Sequence, residues 1–262
     1  EPAPLGGDEG VDQSEHRGRV VAKREGPRPP APETRPAPMR PQDFWQAVES
    51  AEAAAPAPWT DRFPARLPDG RVLHLPIRPL AGTGNAIASL ILNQASFAVE
   101  AALADALAER LAPFRPDIVA GLPTLGLPLA RAVAERLGHA RYAPFGTSRK
   151  FWYDEGLSVP LSSITSPDAT KRLYLDPRLL PLVEGARVAL VDDVISSGTS
   201  ISAGLGLLAR IGVTPVAVGC AMLQTERWRP RLAEAFAGPP EAVVGAFRSP
   251  LLARDGEGWR EA

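Results

Sequence analysis

Two adjacent acids stand at the end of an apolar run in the segment VDDVISSG, residues 191–198. Ionised carboxylates only accept hydrogen bonds, so Asp192 and Asp193 are suited to sugar hydroxyls or to Mg²⁺. The small residues that follow are Ser196, Ser197, Gly198, Thr199 and Ser200. They lead into a helical pattern, and the free N–H groups of a helix N-terminus bind phosphate. Acids for a diol beside amides for a phosphate match a phosphorylated ribose.

A plainer interpretation of this segment is a capped helix after a strand, with two acids at a surface turn. That interpretation explains neither adjacent acids behind a wholly apolar strand nor four hydroxyl residues around one glycine. We therefore favour a ligand site.

Strand and helix patterns alternate around the acids. We expect strands at 117–121, 140–145, 187–191 and 213–223, and helices at 88–112, 127–138 and 200–212. Such alternation predicts an α/β fold with a largely parallel, twisted sheet flanked by helices. Ligands bind beyond the carboxyl ends of the strands in such sheets, and the two acids lie at one of those ends.

The N-terminal part of the chain has a different character. Residues 1–40 are rich in Pro, Gly and mixed charge, which predicts disorder. Met39 opens MRPQDFWQAVES, and we hypothesise that translation starts there. A short helix is expected from Phe44 to about Ala53, strand structure at 71–80 and a turn at 81–85.

One long segment, residues 146–172, lacks periodicity. A loop of that length in a compact domain is usually a lid, a binding loop or disorder. This one contains Arg149, Lys150, Phe151, Trp152 and Tyr153, whereas disordered linkers are poor in aromatic residues. We therefore predict a functional lid, and residues 146–172 are called the lid segment below.

Composition narrows the function classes. The net charge of −1 over 262 residues gives no basic excess for binding nucleic acid. No apolar run reaches the roughly 20 residues of a membrane span. The single cysteine, Cys220, lies in an apolar run, so we expect a buried thiol and a cytoplasmic protein. Motifs for a P-loop, a nucleophile elbow or a zinc site are absent from the sequence.

Several segments together resemble the type I phosphoribosyltransferases. VALVDDVISSGTS (188–200) resembles their signature for binding 5-phosphoribosyl 1-pyrophosphate (PRPP). VAGLPTLGLPLARAVAERLG (119–138) resembles their pyrophosphate loop, and Ser148-Arg149-Lys150 resembles the Arg-Lys pair of adenine and orotate members. KRLYLDPRLLPLVEGARV (171–188) resembles the run that returns from their mobile loop. The resemblance covers roughly residues 85–225.

The resemblance implies a role for each matching position. Asp192 and Asp193 would bind the ribose 2′ and 3′ hydroxyls, directly or through Mg²⁺, and residues 196–200 would cradle the 5′-phosphate. Arg149 and Lys150 would neutralise pyrophosphate as the lid closes. The pyrophosphate loop, which would offer backbone amides to pyrophosphate and contain a strained peptide, would consist of Leu122, Pro123, Thr124, Leu125 and Gly126.

The resemblance also implies an overall function and a division of the chain. The expected reaction is Mg²⁺-dependent transfer of phosphoribosyl from PRPP to a nucleobase, with release of pyrophosphate, in nucleobase salvage. A homodimer is expected, and Asp154 and Glu155 are candidate proton acceptors. The expected divisions are a disordered segment (1–40), a small hood over the base (41–84), the core (85–225) and a C-terminal extension (226–262).

The sequence indicates the acceptor base less clearly than it indicates PRPP. The 6-oxopurine members place a Lys after the fourth strand, but MLQTERW (222–228) has none, so guanine, hypoxanthine and xanthine are disfavoured. The lid segment also departs from the characteristic sequence of adenine members. The side chains considered for base contact or stacking are Trp59, Phe63, His74, Trp152 and Trp228.

A regulator that senses PRPP without turnover is the alternative to an enzyme. Some family members act on DNA through an added winged helix, but residues 1–85 show no helix-turn-helix pattern. A lid segment with Arg149 and Lys150 favours catalysis, because a pure sensor has no cation-like intermediate to shield from water.

Overall fold

The computed structural model describes residues 38–161 and 171–262. Most of the segment predicted to be disordered, residues 1–37, lies outside the described residues, as does the middle of the lid segment, residues 162–170.

The strands in the described ranges are β1 (Arg62–Arg66), β2 (Val72–Pro79), β3 (Asn85–Ala88), β4 (Ile118–Gly121), β5 (Ala143–Pro144), β6 (Ser158–Pro160), β7 (Arg172–Tyr174), β8 (Val188–Ile195), β9 (Ala217–Gln224), β10 (Val243–Ser249), β11 (Leu251–Asp255) and β12 (Gly258–Glu261). The α-helices are α1 (Phe97–Leu111), α2 (Gly126–Arg136), α3 (Leu180–Val183), α4 (Thr199–Arg210) and α5 (Arg229–Ala235).

The central sheet has the strand order β10-β9-β8-β4-β5, and every neighbouring pair in it is parallel. The predicted α/β fold with a parallel sheet is therefore confirmed. Helices α1 and α2 pack together on one face, and α4 packs with α5 on the other. The chain runs from β4 through α2 outward to β5, and from β8 through α4 in the opposite direction to β9. The winding direction thus reverses between the neighbours β4 and β8.

Apolar strands and one helix stripe form the core. The residues 188–191 of β8 are fully buried, as a strand covered by helices on both faces requires. The predicted stripe of α1, spaced by four residues, is fully buried as well: Val99, Leu103, Leu107 and Leu111. A Cβ on Gly219 would lie 3.2 Å from both Leu107 and Leu111, so α1 sits close to β9. Each such buried leucine contributes about 1.5–3 kcal/mol.

A second sheet is antiparallel and has the order β1-β2-β3-β11-β12. It joins residues from both ends of the described chain, with Leu252 of β11 opposite Ala86 of β3. The buried Gln224 side chain at the end of β9 donates a hydrogen bond to the Ala88 carbonyl (2.6 Å), which ties this sheet to the central one. The segment 226–262 thus supplies β10 to the central sheet and β11 and β12 to the second sheet.

Several predicted elements were wrong in part; the strand predicted for 213–223, for example, begins only at Ala217, and three others differ more. The helix predicted for 88–112 begins only at Phe97, where the Ser96 hydroxyl accepts a hydrogen bond from the Val99 amide (3.2 Å). The predicted helix at 44–53 is limited to a single 3-10 turn over Ala51–Ala53, because Glu49 pairs with Val72 in a β-bridge. The strand predicted for 140–145 shortens to Ala143–Pro144.

The lid segment contains more regular structure than its sequence indicates. Strand β6 within it pairs antiparallel with β7, which begins at the last residue of the segment, Arg172, and Val159 lies opposite Leu173. The fully buried Ser158 hydroxyl accepts hydrogen bonds from the Arg172 guanidinium (2.7 and 3.0 Å). No helix within the described ranges has the length and apolarity needed to cross a membrane.

Candidate functional site

The acid pair lies where one neighbouring strand turns away from β8. Pairing of β4 with β8 ends at Gly121 opposite Val191, and the Leu122 amide donates a last hydrogen bond to the Val191 carbonyl (2.9 Å). On its other side β8 stays paired with β9 as far as Ile195. The strand predicted to end at residue 191 is therefore four residues longer. The acids lie at the point where the winding direction of the sheet reverses, which is where open α/β sheets bind ligands.

The loop after β4 (residues 122–126) lies directly against the first acid. A Cβ added to Gly126, the first residue of α2, would lie 2.8 Å from both the Cα and the Oδ1 of Asp192. A contact that short does not occur, so a side chain at this position would displace backbone. The Pro123–Thr124 peptide bond in this loop is cis, and the Thr124 side chain is exposed. The loop backbone and the acid pair thus line one site.

Asp192 is buried and Asp193 is partly buried, and neither has a basic partner among the described residues. Asp192 is 6% exposed, and its Oδ1 accepts a hydrogen bond from the Asp193 amide (2.9 Å). Within the described ranges neither acid forms an ion pair with a Lys, Arg or His. Burial raises the pKa of both carboxyl groups, and the charge of Asp193 raises the pKa of Asp192 further. Such a pair favours ligands that bring positive charge or hydrogen-bond donors.

Mg²⁺ fits this donor set. Mg²⁺ prefers oxygen ligands and is usually held by one or two carboxylates together with substrate phosphates and waters. Asp192 and Asp193 supply those carboxylates, and the described residues contain no larger cluster of His, Cys, Asp or Glu that could hold a metal ion. Asp192 and Asp193 therefore suit a Mg²⁺ ion that binds together with a phosphorylated ligand.

The turn after β8 opens α4 at the same end of the sheet. Gly198 has φ +78° and is the N-cap of α4, so the helix begins without a capping side chain. The Ser197 and Thr199 hydroxyls lie 3.0 Å apart, and the Ser200 side chain is exposed. A Cβ on Gly204 of α4 would lie 2.9 Å from Leu122, so α4 packs closely on the loop after β4. The N-termini of α2 and α4 therefore flank the acids.

The basic pair of the lid segment stands apart from the acids in the described contacts. Arg149 Nη1 lies 2.9 Å from Glu155 Oε1, and both side chains are more than half exposed. Lys150 is exposed as well. Asp154 Oδ1 accepts a hydrogen bond from the Gly156 amide (2.8 Å). Both candidate proton acceptors thus contact groups of the lid segment itself.

An aromatic cluster anchors the start of the lid segment, and sequence reasoning did not identify it. The Trp152 indole N–H donates to Asp176 Oδ2 (3.3 Å), and the Arg178 guanidinium lies 4.8 Å from the centre of the Trp152 ring. The Arg178 guanidinium also holds the pKa of Asp176 well below its usual range. Phe151 beside them is 96% exposed. The signal available in the sequence was Asp-Pro-Arg at 176–178, where Asp and Pro favour a turn.

The other aromatic candidates are packed into the fold. Trp228 is 3% exposed, and its indole N–H donates to the Thr225 carbonyl (2.9 Å). Phe63 is buried and meets Trp59 edge to face at 5.0 Å between ring centres. His74 is 8% exposed, and burial lowers its pKa. The described contacts of these four side chains are with the protein itself.

Comparison with known proteins gives a family and several relatives. Residues 89–246 match the family model of the phosphoribosyl transferase domain. The transcriptional regulator GfcR of Halobacterium salinarum is 36% identical over 124 residues, which are 47% of this chain and 50% of that protein. The orotate phosphoribosyltransferase of Halorhodospira halophila is 33% identical over 141 residues, 53% of this chain and 57% of that protein.

A xanthine phosphoribosyltransferase of Chloroflexus aurantiacus is 34% identical over 117 residues, 42% of this chain and 51% of that protein. The chain thus spans about half the length of these curated relatives. Among solved structures, the adenine phosphoribosyltransferase of Thermoanaerobacter pseudethanolicus matches with a TM-score of 0.51 at 19% identity, over 66% of this chain and 95% of that one. At that identity the likeness shows the fold.

Proposed function

Because the chain belongs to the phosphoribosyl transferase domain family, we propose that it transfers the phosphoribosyl group of PRPP to a nucleobase and releases pyrophosphate. The observation that carries the proposal is the acid pair of buried Asp192 and partly buried Asp193, flanked by the N-termini of two helices. The acids suit a ribose diol, and each helix N-terminus suits one of the two phosphorylated ends of PRPP.

Each part of the site takes one part of the substrate in this proposal. The turn 196–200 binds the 5′-phosphate through amides and hydroxyls at the start of α4. The loop 122–126 at the start of α2 binds the pyrophosphate, and Gly126 lets its backbone lie against Asp192. Asp192 and Asp193 accept hydrogen bonds from the ribose hydroxyls. When Mg²⁺ is bound with PRPP, it neutralises part of the pyrophosphate charge.

The reaction is a displacement at C1 of the ribose. The bond from C1 to the pyrophosphate oxygen breaks, a base nitrogen forms a bond to C1, and pyrophosphate leaves with the bonding electrons. The transition state carries positive charge on the ribose, so the work of the protein is positioning and charge stabilisation. A water molecule could attack C1 in place of the base and hydrolyse PRPP. The proposed role of the lid segment is to exclude water from C1 during the reaction.

Closure of the lid segment brings Arg149 and Lys150 to the pyrophosphate in this proposal. The Arg149–Glu155 ion pair is exposed, and exposed pairs are worth only about 0–1 kcal/mol, so its exchange for a pyrophosphate contact costs little. After closure Asp154 and Glu155 are available as proton acceptors for the attacking base.

The acceptor is proposed to be a base other than a 6-oxopurine. The chain after β9 reads Thr225-Glu226-Arg227, without a lysine. The relatives named above act on orotate, xanthine and adenine, so the family likeness alone does not choose among bases. Nucleobase salvage, a cytoplasmic location and a homodimer stay predictions.

A regulator that senses PRPP is the second candidate. The likeness to the transcriptional regulator GfcR favours it. The same acid pair and turns serve a sensor, so the two candidates differ only in whether pyrophosphate is released.

The experiment that distinguishes the enzyme from the sensor measures the release of pyrophosphate from PRPP in the presence of Mg²⁺. The bases added in turn are adenine, guanine, hypoxanthine, xanthine, orotate and uracil. Catalysis predicts release with one or a few bases, and Asp192→Asn/Asp193→Asn protein serves as the blank. Calorimetric binding of PRPP without release for any base would favour the sensor and contradict catalysis on this panel.

A further inference from the structure

A groove of about 1750 Å³ lies between the two sheets. One wall is β1, and the other is β10 with the turn that follows β9. Neither acid of the proposed PRPP site is among its lining residues. The groove is larger than the roughly 300–1,000 Å³ of sites for small molecules, so it suits an extended ligand.

Both walls are edges of sheets. β10 is the outermost strand of the central sheet, and β1 is the outermost strand of the antiparallel sheet. Among the described residues no strand pairs with the outer side of either one. An edge strand presents backbone N–H and C=O groups that another extended chain can pair with. The groove therefore offers backbone donors and acceptors along its length.

The surface of the groove also has an apolar part. Trp59 and Val244 are partly exposed and contribute aromatic and aliphatic surface, and the buried Phe63, Leu223 and Val243 lie beneath them. An added strand places alternate side chains on opposite faces. Alternate apolar residues of a bound strand would therefore meet this surface, and the residues between them would face the groove rim.

The charges of the groove select the partner. Its lining holds five arginines and three glutamates. Glu226 is already paired with Arg229 and with Arg248 (3.2 Å). The guanidinium groups of Arg66, Arg110 and Arg227 form no hydrogen bond or ion pair with the described part of the chain. Glu241 and Glu261 form no ion pair with the described residues either, so the lining keeps a net charge of +2, which favours acidic groups in a ligand.

We propose that this groove binds an extended acidic segment of a partner protein, which adds as a strand along β10. A peptide backbone matches the donors and acceptors of a strand edge, whereas a nucleic-acid backbone has phosphate acceptors alone. The recognition is a strand addition that gives affinity through main-chain hydrogen bonds and selectivity through alternate side chains. The proposal is independent of phosphoribosyl transfer.

The length of β10 determines the length of the peptide used to test the proposal. Seven residues at about 3.3 Å each span about 23 Å, so a seven-residue peptide matches the edge. The probe is a fluorescein-labelled peptide of alternating valine and glutamate, titrated with the full chain and followed by fluorescence polarisation. Two further peptides replace glutamate by lysine or carry N-methyl groups on alternate amides.

The protein variant is Arg66→Gln/Arg110→Gln/Arg227→Gln, and Arg210→Gln is the matched control because Arg210 is an exposed arginine at the end of α4. The acidic peptide should bind the wild type and the control alike. The triple variant should bind it roughly threefold to a hundredfold more weakly, because three exposed charge pairs of about 0.2–1 kcal/mol each are lost. Circular dichroism and PRPP binding establish that the triple variant is folded.

Four results of the peptide titrations would overturn the proposal. They are absence of binding by the acidic peptide, equal binding of the lysine peptide, equal binding of the N-methylated peptide, and displacement of the acidic peptide by a single-stranded oligonucleotide at lower concentration. A dimer in sedimentation velocity that dissociates in the triple variant would place a second copy in the groove and would also overturn it.

Discussion

At the scale of single residues, the site depends on two adjacent acids, one buried and one partly buried, that have no basic partner in the part of the chain that the structure describes. A strand end and a helix start were both visible in the sequence, and so were Asp192 and Asp193 as the residues between them. The close approach of Gly126 to Asp192 was not visible, because it joins positions 66 residues apart through the pairing of β4 with β8. Motif reasoning located the acids and the turns but not the backbone contact between them.

The raised pKa of Asp192 predicts that the free energy of unfolding of the ligand-free protein depends on pH. The pKa of Asp192 is higher in the folded protein than its ordinary value of 3.8, so the unfolded chain loses this proton at lower pH. The free energy of unfolding therefore falls as pH rises from the ordinary value to the raised one, and the cost is complete above that window.

Asp192→Asn removes this ionisation and should raise the melting temperature by roughly a few degrees at about pH 7.5. The advantage should shrink as pH falls towards the ordinary pKa of 3.8 and vanish at about pH 3, where Asp192 is largely protonated in both states of the wild type. Thermal unfolding of both proteins across this range checks it. A variant with the same advantage at every pH would refute the ionic origin of the effect.

Gly126→Ala tests the contact between loop and acid. The added Cβ would lie 2.8 Å from the backbone of Asp192, so the loop after β4 must shift away from the acids. We expect PRPP affinity to fall at least about tenfold, as measured by calorimetry. Gly206→Ala in α4 is the matched control, because nothing lies within 4 Å of its Cβ. That control should bind normally and gain about 0.5–1 kcal/mol of helix stability.

At the scale of elements, the sequence predicted correctly those strands and helices whose own apolar residues show a clear spacing. The helix stripe of α1 and the apolar strand β8 are of this kind. β3 was missed because its apolar run also fits a helix, and its strand conformation depends on pairing with Leu251 and Leu252 far along the chain. The pairing of β6 with β7 was missed for the same reason, since it joins β6 within the lid segment to β7 at the end of that segment.

The proposed closure of the lid segment predicts that a substitution at Lys150 affects turnover more than PRPP binding. If Lys150 meets the pyrophosphate only as the lid closes, Lys150→Ala should lower kcat at least about tenfold and change PRPP affinity much less. Arg260→Ala on β12 is the control, because it removes an exposed cation from a distant strand. Steady-state kinetics with the accepted base, together with calorimetry of PRPP, measure both effects. Equal losses in binding and turnover would place Lys150 in the open site instead.

At the scale of the whole molecule, the central sheet reverses its winding direction between β4 and β8, and the site lies at that reversal. The alternation of strands and helices predicted a parallel sheet, but strand order is a long-range property that the sequence pattern does not contain. The second sheet shows the same limit, because it joins residues 62–88 with residues 251–261.

The C-terminal strands predict a measurable contribution to stability. Leu252 on β11 is fully buried between the strands that pair with it, so Leu252→Ala should lower the free energy of unfolding by about 2–5 kcal/mol. Leu251→Ala is the neighbouring control, since that side chain is only partly buried and should cost less. Urea denaturation measures both. Equal small effects would mean that β11 adds little to the core.

The most direct test of the account is calorimetric titration of PRPP, with Mg²⁺ present, into the wild type and Asp193→Asn. The account predicts binding by the wild type and at least about tenfold weaker binding by the folded variant, since loss of a hydrogen bond to a charged group costs about 1.5–3 kcal/mol. Equal PRPP affinity of the two proteins would contradict the assignment of the acid pair to the ribose, and with it both the enzyme and the sensor.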